Sequence, residues 1–361
     1  MTCTRPLPRE IDLLRCSART VVDESRREHM AGLCAAGIDW DLFCELAGRH
    51  KLIPLIYVSL NRFCRDVLPA SVLERLRSHF LRNMQRNLAL LAESDRLLRR
   101  FKSAGLVAVP YKGLSVAAIY GGAGLRESGD IDLLVARCDM ESVAILMREM
   151  GYEPDSPRTV ADDRRLLGSP YNYHLAFEHP VSGIVVEPHW GLMPRFFSPR
   201  LDDFASDCLT RLTSQDVCGM PMPSLSASDV PLVLAVHGGK HLWERWVWIC
   251  DFAEFMRGQP ELNWREIWDR SRAIGVSRHL ALALRLASDV LESPVPAPMA
   301  DGVAAVHGVA GLARQVQARL CRHLDVAEPT ALQRHMFILR CMDGTGDRAS
   351  WIWHQTISRL R

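Results

Sequence analysis

Residues 110–135 read PYKGLSVAAIYGGAGLRESGDIDLLV, and this stretch decides the fold of the central part of the chain. It ends in an apolar run, typical of a buried strand, that contains Asp130 and Asp132. Alternate side chains of a strand lie on the same face, so both aspartates are expected on one side, with Ile131 and Leu133 on the other. Two like charges this close raise each other's proton affinity unless a cation compensates them.

A divalent cation with a preference for oxygen ligands would provide that compensation. Mg²⁺ typically binds one or two carboxylates together with substrate phosphates. Two-metal phosphoryl-transfer sites usually contain a further carboxylate, and Glu187 at the end of the apolar run GIVVEPHW is the candidate. If that run pairs with DIDLLV, Glu187 faces the same metals. The alternative for all three acids is an ordinary carboxylate at a strand end or turn.

A glycine–serine turn precedes the aspartates. Gly113 follows the predicted strand LVAVPYKG, and Ser115 opens the predicted short helix LSVAAIYGG. Glycine lets a backbone approach a ligand closely, and a helix start offers free N–H groups to phosphate. The pattern therefore predicts a triphosphate held between backbone amides and metal, the alternative being a plain strand-to-helix turn.

Composition excludes several classes of protein. The chain has 361 residues with 44 Lys and Arg, 42 Asp and Glu and a net charge of +2, so it is not a strongly basic nucleic-acid binder, although a local basic face stays open. Its eleven cysteines form no CxxC pair and are interpreted as reduced thiols. The N-terminus lacks the apolar core of a signal peptide, and no run is long enough to span a membrane. We expect a cytoplasmic protein.

The hydrophobic pattern divides the chain into three parts. Residues 1–95 are predicted to form a helical region, residues 96–205 a mixed α/β core and residues 206–361 a helical domain. In the core, DIDLLVA is a predicted strand, DMESVAILMREMGY a helix, and YNYHLAFEHP with GIVVEPHW a hairpin. The first part ends in the segment RSHFLRNMQRNLALLAESDRLLRRFKSAG, whose leucines, including Leu88, predict a buried helix face that stops at Gly105. The fold class is α+β.

These motifs resemble the nucleotidyltransferase superfamily that shares the DNA polymerase β catalytic fold, and in particular its little-characterised bacterial branch. The resemblance covers roughly residues 80–260. The residues that carry it are Lys112-Gly113, Arg126 with Asp130 and Asp132, Glu187 with His189-Trp190, and His237, His241, Trp243 and Asp251.

The resemblance implies an acceptor hydroxyl attacking the α-phosphorus of a nucleoside triphosphate such as ATP, with release of pyrophosphate. Asp130 and Asp132 would hold two Mg²⁺ ions, with Mn²⁺ as an alternative. Glu187 would bind the metal on the acceptor side and help to deprotonate the hydroxyl. Gly113 and Ser115 would lie at the phosphates. The sequence departs from the wider superfamily in having Glu187 where aspartate is common, and GLS where a second small residue often follows the glycine.

Several basic and polar residues complete the candidate site. Lys112 and Arg126 are interpreted either as phosphate ligands or as ion-pair partners that orient the aspartates, and Ser128 joins the candidate phosphate-binding set. The acceptor is a sugar, a peptide, another protein or a small molecule, and the sequence does not choose among them. The candidates for the acceptor site are His189, Trp190 and Arg245.

The segment HGGKHLWERWVWICDFAEF places His237 and His241 on one helix face. No third ligand follows at a spacing diagnostic of zinc. Either Lys240, His241 and Arg245 line the cleft opposite the carboxylates and contact the nucleotide or the acceptor, with Lys240 and His241 in the nucleotide- and phosphate-binding set, or they join this helix to the core. The aromatic residues of the segment are expected in the core.

Two other functions are compatible with parts of the pattern. Glycosyltransferases that bind nucleotide-sugars through Mn²⁺ also use a DxD, but they need neither the KG-x-S turn nor the later E-x-HW. A catalytically silent nucleotide-binding protein would keep the fold, but the intact set of three acids argues against it.

Overall fold

The computed structural model describes residues 7–321 and 329–357. Helices form the N-terminal part of the chain: α1 (Arg9–Ser17), α2 (Glu24–Ala35), α3 (Trp40–Arg49), α4 (Ile53–Phe63) and α5 (Ala70–Ser103). The central part contains β1 (Ala108–Pro110), α6 (Leu114–Ala117), β2 (Ile131–Val135), α7 (Met140–Glu149), β3 (Glu153–Pro154), α8 (Val160–Gly168), β4 (Phe177–Glu178), β5 (Val185–His189), α9 (Pro199–Cys208), β6 (Thr213–Val217) and β7 (Met220–Ser224).

Helices also form the C-terminal part: α10 (Val230–Lys240), α11 (Trp246–Gly258), α12 (Trp264–Ala273), α13 (Ser277–Leu291), α14 (Ala300–Ala305), α15 (Val309–Leu320), α16 (Ala331–Cys341) and α17 (Thr345–Ile357). Short 3₁₀ turns lie at Arg65–Val67, Ala118–Tyr120, Arg137–Asp139 and Ala297–Met299. The predicted α+β class, a small mixed sheet with helical regions on both sides in sequence, is confirmed. Within the described ranges, no helix is both long enough and apolar enough to cross a bilayer.

The central sheet has the strand order β1-β2-β5-β4-β3. Strands β2 and β5 are parallel, and the other neighbouring pairs are antiparallel. β4 and β5 form the hairpin predicted around the turn at residues 181–183. The short hairpin of β6 and β7 was not predicted. Its turn contains Cys218 and Gly219, both with positive φ, which is the usual conformation of a tight two-residue turn.

The two faces of β2 belong to different hydrophobic clusters, as the alternation of a strand requires. Ile131, Leu133 and Val135 pack in a cluster with side chains of α5 and α7. Leu134 packs in a second, larger cluster that also contains the N-terminal and C-terminal helices. Because Asp132 is two residues from Leu134, its side chain lies on the face that is directed toward these helices.

Helix α5 is a single element of 34 residues, and Gly105 follows its end with a φ of +74°, as the predicted stop requires. Its buried side includes the polar residues Asn87 and Ser94. The expectation that Leu88 is buried was wrong, because it lies at the flank of this side and its side chain is 49% exposed. Helix α5 continues across residues 95–96, where the first predicted region meets the second. The predicted division of the chain into three regions stays a prediction.

An ion pair joins the loop before β2 to the C-terminal helices. The Arg126 guanidinium donates two hydrogen bonds of 2.9 Å to Asp251 in α11, and Tyr120 donates a third of 2.7 Å to the same carboxylate. The Arg126 and Asp251 side chains are 8% and 1% exposed. A bidentate contact at this depth fixes the loop relative to α11.

Replacing Asp251 with alanine is expected to lower the free energy of unfolding by about 3–5 kcal/mol, because it leaves the Arg126 charge buried without compensation. Urea titration followed by circular dichroism measures the change. The control is Arg77→Ala, which removes one partner of an exposed ion pair on α5 and is expected to cost less than about 1 kcal/mol. Equal changes in the two variants would contradict a fixing role for the Arg126–Asp251 pair.

Candidate active site

The parallel pairing of β2 and β5 places Asp132 directly opposite Glu187. The same register places Leu134 opposite His189, so Asp132, Glu187 and His189 share one face of the sheet. Their ligand atoms all lie within 4.8 Å of one another. Asp132 and His189 are buried, and Glu187 is partly exposed at the edge of the cleft.

Two nitrogen atoms contact the Asp132 carboxylate. Lys112 Nζ lies 2.7 Å from Oδ1 of Asp132, and His189 Nε2 lies 3.0 Å from the same oxygen. His189 Nε2 is also 3.2 Å from Oε2 of Glu187. Because a carboxylate only accepts hydrogen bonds, Nε2 carries the hydrogen in this arrangement.

These contacts keep the two carboxylates ionised. Burial opposes the ionisation of Asp132, but Lys112 and His189 together hold its pKa well below the usual range. The hydrogen bond from His189 lowers the pKa of Glu187, against the effects of burial and of Asp132. Both groups are therefore anionic at neutral pH.

Asp130 lies immediately before β2, one residue outside the strand in which it was predicted. Its carboxylate makes no hydrogen bond or ion pair with any residue in the described ranges. Burial, followed by the charges of Asp132 and Glu187, raises its pKa. An acid crowded by two other carboxylates and without a partner of its own has the charge environment of a cation ligand.

The carboxylates fit an oxygen-preferring divalent cation better than a transition metal. Asp130 adds to Asp132 and Glu187 a third carboxylate, and the charges of Lys112 and Lys51 do not outweigh the burial and crowding that raise its pKa. His189 is close enough to be a fourth donor, but its imidazole hydrogen-bonds both neighbouring acids. Imidazole suits zinc and copper, whereas Mg²⁺ takes oxygen ligands.

The turn between β1 and α6 depends on Gly113. Its φ of +58° and ψ of −110° lie in a region that side chains with a Cβ rarely adopt. Helix α6 has only four residues and continues as a 3₁₀ turn, so the helix start is shorter than the pattern predicted. The Ser115 hydroxyl donates to the Lys112 carbonyl at 3.2 Å, which closes the turn on itself.

Lys112 and Arg126, which the sequence treats as equivalent candidates, have different environments. Lys112 forms an ion pair with Asp132, which is one of the two roles that the sequence suggests for it. Arg126 pairs with neither Asp130 nor Asp132, because its guanidinium is committed to Asp251. Ser128 is buried beside Arg126, 3.5 Å from Nη1.

Two asparagines that sequence reasoning missed hold the loop before Asp130. The Asn83 amide donates to the carbonyls of Gly124 at 2.9 Å and Arg126 at 3.2 Å. Asn87, one helical turn later in α5, also donates to the Arg126 carbonyl, at 2.7 Å. Their only sequence signal is that two polar residues, four apart, interrupt the apolar face of a long helix.

The C-terminal end of α10 lies across from the acids. Lys240 Nζ lies 4.4 Å from the centre of the Tyr173 ring. Burial and then Lys112 lower the pKa of Lys240 to about 8, against the opposing effects of Asp132 and Glu187. Lys240 and His237 line a narrow gap together with Lys112.

The two histidines of this helix end pack against aromatic groups. His237 and His241 have ring centres 4.7 Å apart, and His241 stacks on Trp248 at 5.0 Å. Burial and Lys240 lower the pKa of His241 to about 3, so this ring is neutral at physiological pH. In the described ranges they belong to no group of three metal-ligating side chains.

The predicted acceptor residues occupy different environments. Trp190 is buried, and its backbone N–H donates to the Tyr173 carbonyl. The Arg245 guanidinium lies 5.9 Å from the centre of the Trp248 ring. His189 is stacked on His174, with ring centres 4.8 Å apart.

The sheet, its paired acids and the lysines around them are the arrangement expected of a phosphoryl-group transferase. A family model described as an uncharacterised nucleotidyltransferase matches residues 36–292, and the chain belongs to this family. The match begins before α3, so the family includes N-terminal helices that the sequence motifs do not reach. No curated protein matches the chain.

Asp130→Asn is expected to raise the free energy of unfolding of the metal-free protein by about 0.5–1 kcal/mol at pH 7. An acid whose pKa is higher in the folded state is destabilising while it is ionised, so removing the charge stabilises the fold. The gain is present at pH 7 and disappears as the pH falls through the raised pKa of Asp130 toward its unfolded value of 3.8.

Urea unfolding in EDTA between pH 4 and pH 8 tests this expectation. The control is Asp66→Asn, which changes an exposed acid outside the site and is expected to stay within about 0.5 kcal/mol of the wild type. Destabilisation of the Asp130 variant at pH 7 would show that this carboxylate is not crowded by its neighbours.

Proposed function

We propose that the protein transfers a nucleoside monophosphate from a nucleoside triphosphate to an acceptor hydroxyl in a Mg²⁺-dependent reaction that releases pyrophosphate. The observation that carries this proposal is the in-register pairing of Asp132 with Glu187, next to Asp130, whose carboxylate has no hydrogen-bond or ion-pair partner in the described part of the chain. Membership of a nucleotidyltransferase family supports the reaction class. The cation, the donor and the acceptor are parts of the proposal.

Asp130, Asp132 and Glu187 would hold the metal. Two bound Mg²⁺ ions, or Mn²⁺ in their place, would supply charge neutralisation at the phosphates of the donor. The fit rests on three crowded carboxylates, of which the one at position 130 has no ion-pair partner in the described ranges and a raised pKa despite the charges of Lys112 and Lys51.

Other side chains of the protein would bind the phosphates and transfer the proton. Lys112 and Lys240 would bind phosphate oxygens beside the acids, and the Gly113 turn would bring the start of α6 close to them. Glu187 accepts the proton of the acceptor hydroxyl, and His189 fixes the orientation of that carboxylate. The acceptor oxygen then bonds to the α-phosphorus, the bond from that phosphorus to the pyrophosphate oxygen breaks, and pyrophosphate leaves.

Transfer of label from α-labelled nucleoside triphosphates tests the proposal. The protein is incubated with each triphosphate, Mg²⁺ and host extract, and labelled products are separated from free nucleotide. We expect incorporation that EDTA abolishes and that Asp130→Ala or Asp132→Ala reduces at least about 100-fold, because each removes a charge that stabilises the transferring group.

The matched control is Asp66→Ala, which removes an exposed acid and is expected to leave incorporation unchanged. Label that stays on free nucleotide with every acceptor fraction would argue against the proposal and for a catalytically silent binding protein. Transfer of sugar from a labelled nucleotide-sugar, dependent on the same aspartates, would instead identify a glycosyltransferase.

The pH dependence of kcat/KM for the triphosphate tests the role of Lys240. Its pKa is lowered to about 8 by burial and by Lys112, so the ammonium binds phosphate below that pH and loses its charge above it. We expect kcat/KM to fall about tenfold per pH unit above pH 8. Lys240→Arg, which stays charged, should shift this fall to higher pH, and an unchanged profile would exclude Lys240 from triphosphate binding.

A further inference from the structure

A second cavity, separate from the narrow gap between Lys112 and Lys240, lies beside the loop that precedes Asp130. It has a volume of about 380 Å³, and its walls come from three separate parts of the chain. Lys51 contributes from the turn between α3 and α4, Arg82 and Arg86 from α5, and Ser128 and Gly129 from the loop before β2. Since Gly129 adjoins Asp130, the cavity borders the proposed transfer site.

The α5 wall is built by helical periodicity. His79, Arg82, Asn83 and Arg86 lie at spacings of three and four, so they share one face of the helix. Asn83 holds the loop, and Arg86 donates to the Gly129 carbonyl at 2.7 Å. The helix thus fixes the loop and directs cationic side chains into the space beside it.

Lys51 occupies a backbone position that normally favours glycine. It follows the end of α3 with a φ of +57°. Its N–H donates to the Gly48 carbonyl, and the Leu52 N–H donates to the Ala47 carbonyl, which together form a Schellman motif. A lysine here costs backbone free energy relative to glycine, so glycine is the substitution that removes the side chain with the least strain.

Positive charge exceeds negative charge in this cavity. The one acid in its lining, Glu127, already pairs with His79 at 2.8 Å. The Lys51 ammonium and the Arg82 guanidinium form no hydrogen bond or ion pair within the described ranges. Burial, followed by the charges of Arg245 and Arg126, lowers the pKa of Lys51, against the opposing charges of Glu127 and Asp130.

We infer that this cavity is a phosphate-binding pocket in which Lys51, Arg82 and Arg86 contact the oxygens of a phosphate group. Ammonium and guanidinium groups recognise phosphate through charge-assisted hydrogen bonds. The volume exceeds that of a single phosphate, so the group belongs to a larger molecule. Identifying that molecule as the triphosphate donor or as a phosphorylated acceptor rests on the proposed function.

Calorimetric titration with inorganic phosphate tests the pocket without nucleotide or Mg²⁺. Ionic strength is held constant with chloride because exposed cations are screened by salt. We expect millimolar or tighter binding to the wild type and at least fivefold weaker binding to Lys51→Gly and to Arg82→Ala. Lys51→Gly relieves the left-handed backbone, so its thermal stability should equal or exceed that of the wild type.

Each variant has a matched control. Cys218→Gly makes the same backbone change at an exposed left-handed residue outside the pocket, and Arg77→Ala removes an exposed arginine from the same helix as Arg82. Both are expected to bind phosphate like the wild type. Absence of binding to the wild type, or equal binding by all the variants, would overturn the assignment.

A competition arm identifies the source of the phosphate. Displacement of inorganic phosphate by a non-hydrolysable nucleoside triphosphate with Mg²⁺ assigns the pocket to the donor. Phosphate that stays bound at saturating analogue assigns it to a phosphorylated acceptor, and both results support the pocket.

The assay also separates this inference from the proposed function. Asp132→Asn should abolish nucleotidyl transfer while phosphate still binds. If the wild type binds phosphate but never transfers label, only the proposed function fails.

Discussion

The parallel pairing of β2 with β5 is the constraint on which the candidate site depends. Opposed residues in a parallel ladder share a face, so this register alone brings Asp132 next to Glu187 across 55 positions of sequence. A shift of one residue would turn one of them into the hydrophobic cluster on the other face. The buried side chains of Ile131 and Leu133 oppose that shift. The burial of the apolar face of β2 therefore determines where the opposite face, which carries Asp132, is directed.

The loop before β2 needs its own restraints because Asp130 lies outside the strand. Asn83 and Asn87 hold its carbonyls to α5, and Arg126 joins it to Asp251 in α11. The same loop thereby contacts helices from both ends of the chain. This arrangement gives the flanking helices a physical role in the site. Helices α5 and α11 both hold the loop that leads to Asp130, a residue that the sheet alone does not fix.

The acids, the Gly113 turn and the alternation around Asp132 could be predicted from sequence because each depends on local chemistry and on the period of a strand. Arg126 shows where that reasoning fails. Its proximity in sequence to the aspartates suggested a phosphate ligand or their ion-pair partner, whereas its guanidinium pairs with Asp251, 125 positions away. Lys51 belongs to no sequence motif. Its contribution to the cavity depends on the packing of the N-terminal helices against the loop before β2.

The sequence by itself determined the α+β class, the order of the segments around the candidate site and the choice of three candidate carboxylates, because periodicity, turn residues and charge inside an apolar run are local properties. Only the tertiary structure decided which cations oppose those carboxylates and where the flanking helices meet the site. It assigned Lys112 and His189 to Asp132, left Asp130 without an ion-pair partner among the residues described, and placed Lys51 in the wall of the second cavity. The physical reason is that compensation of buried charge depends on distances between side chains brought together by packing, and spacing along a chain does not specify those distances.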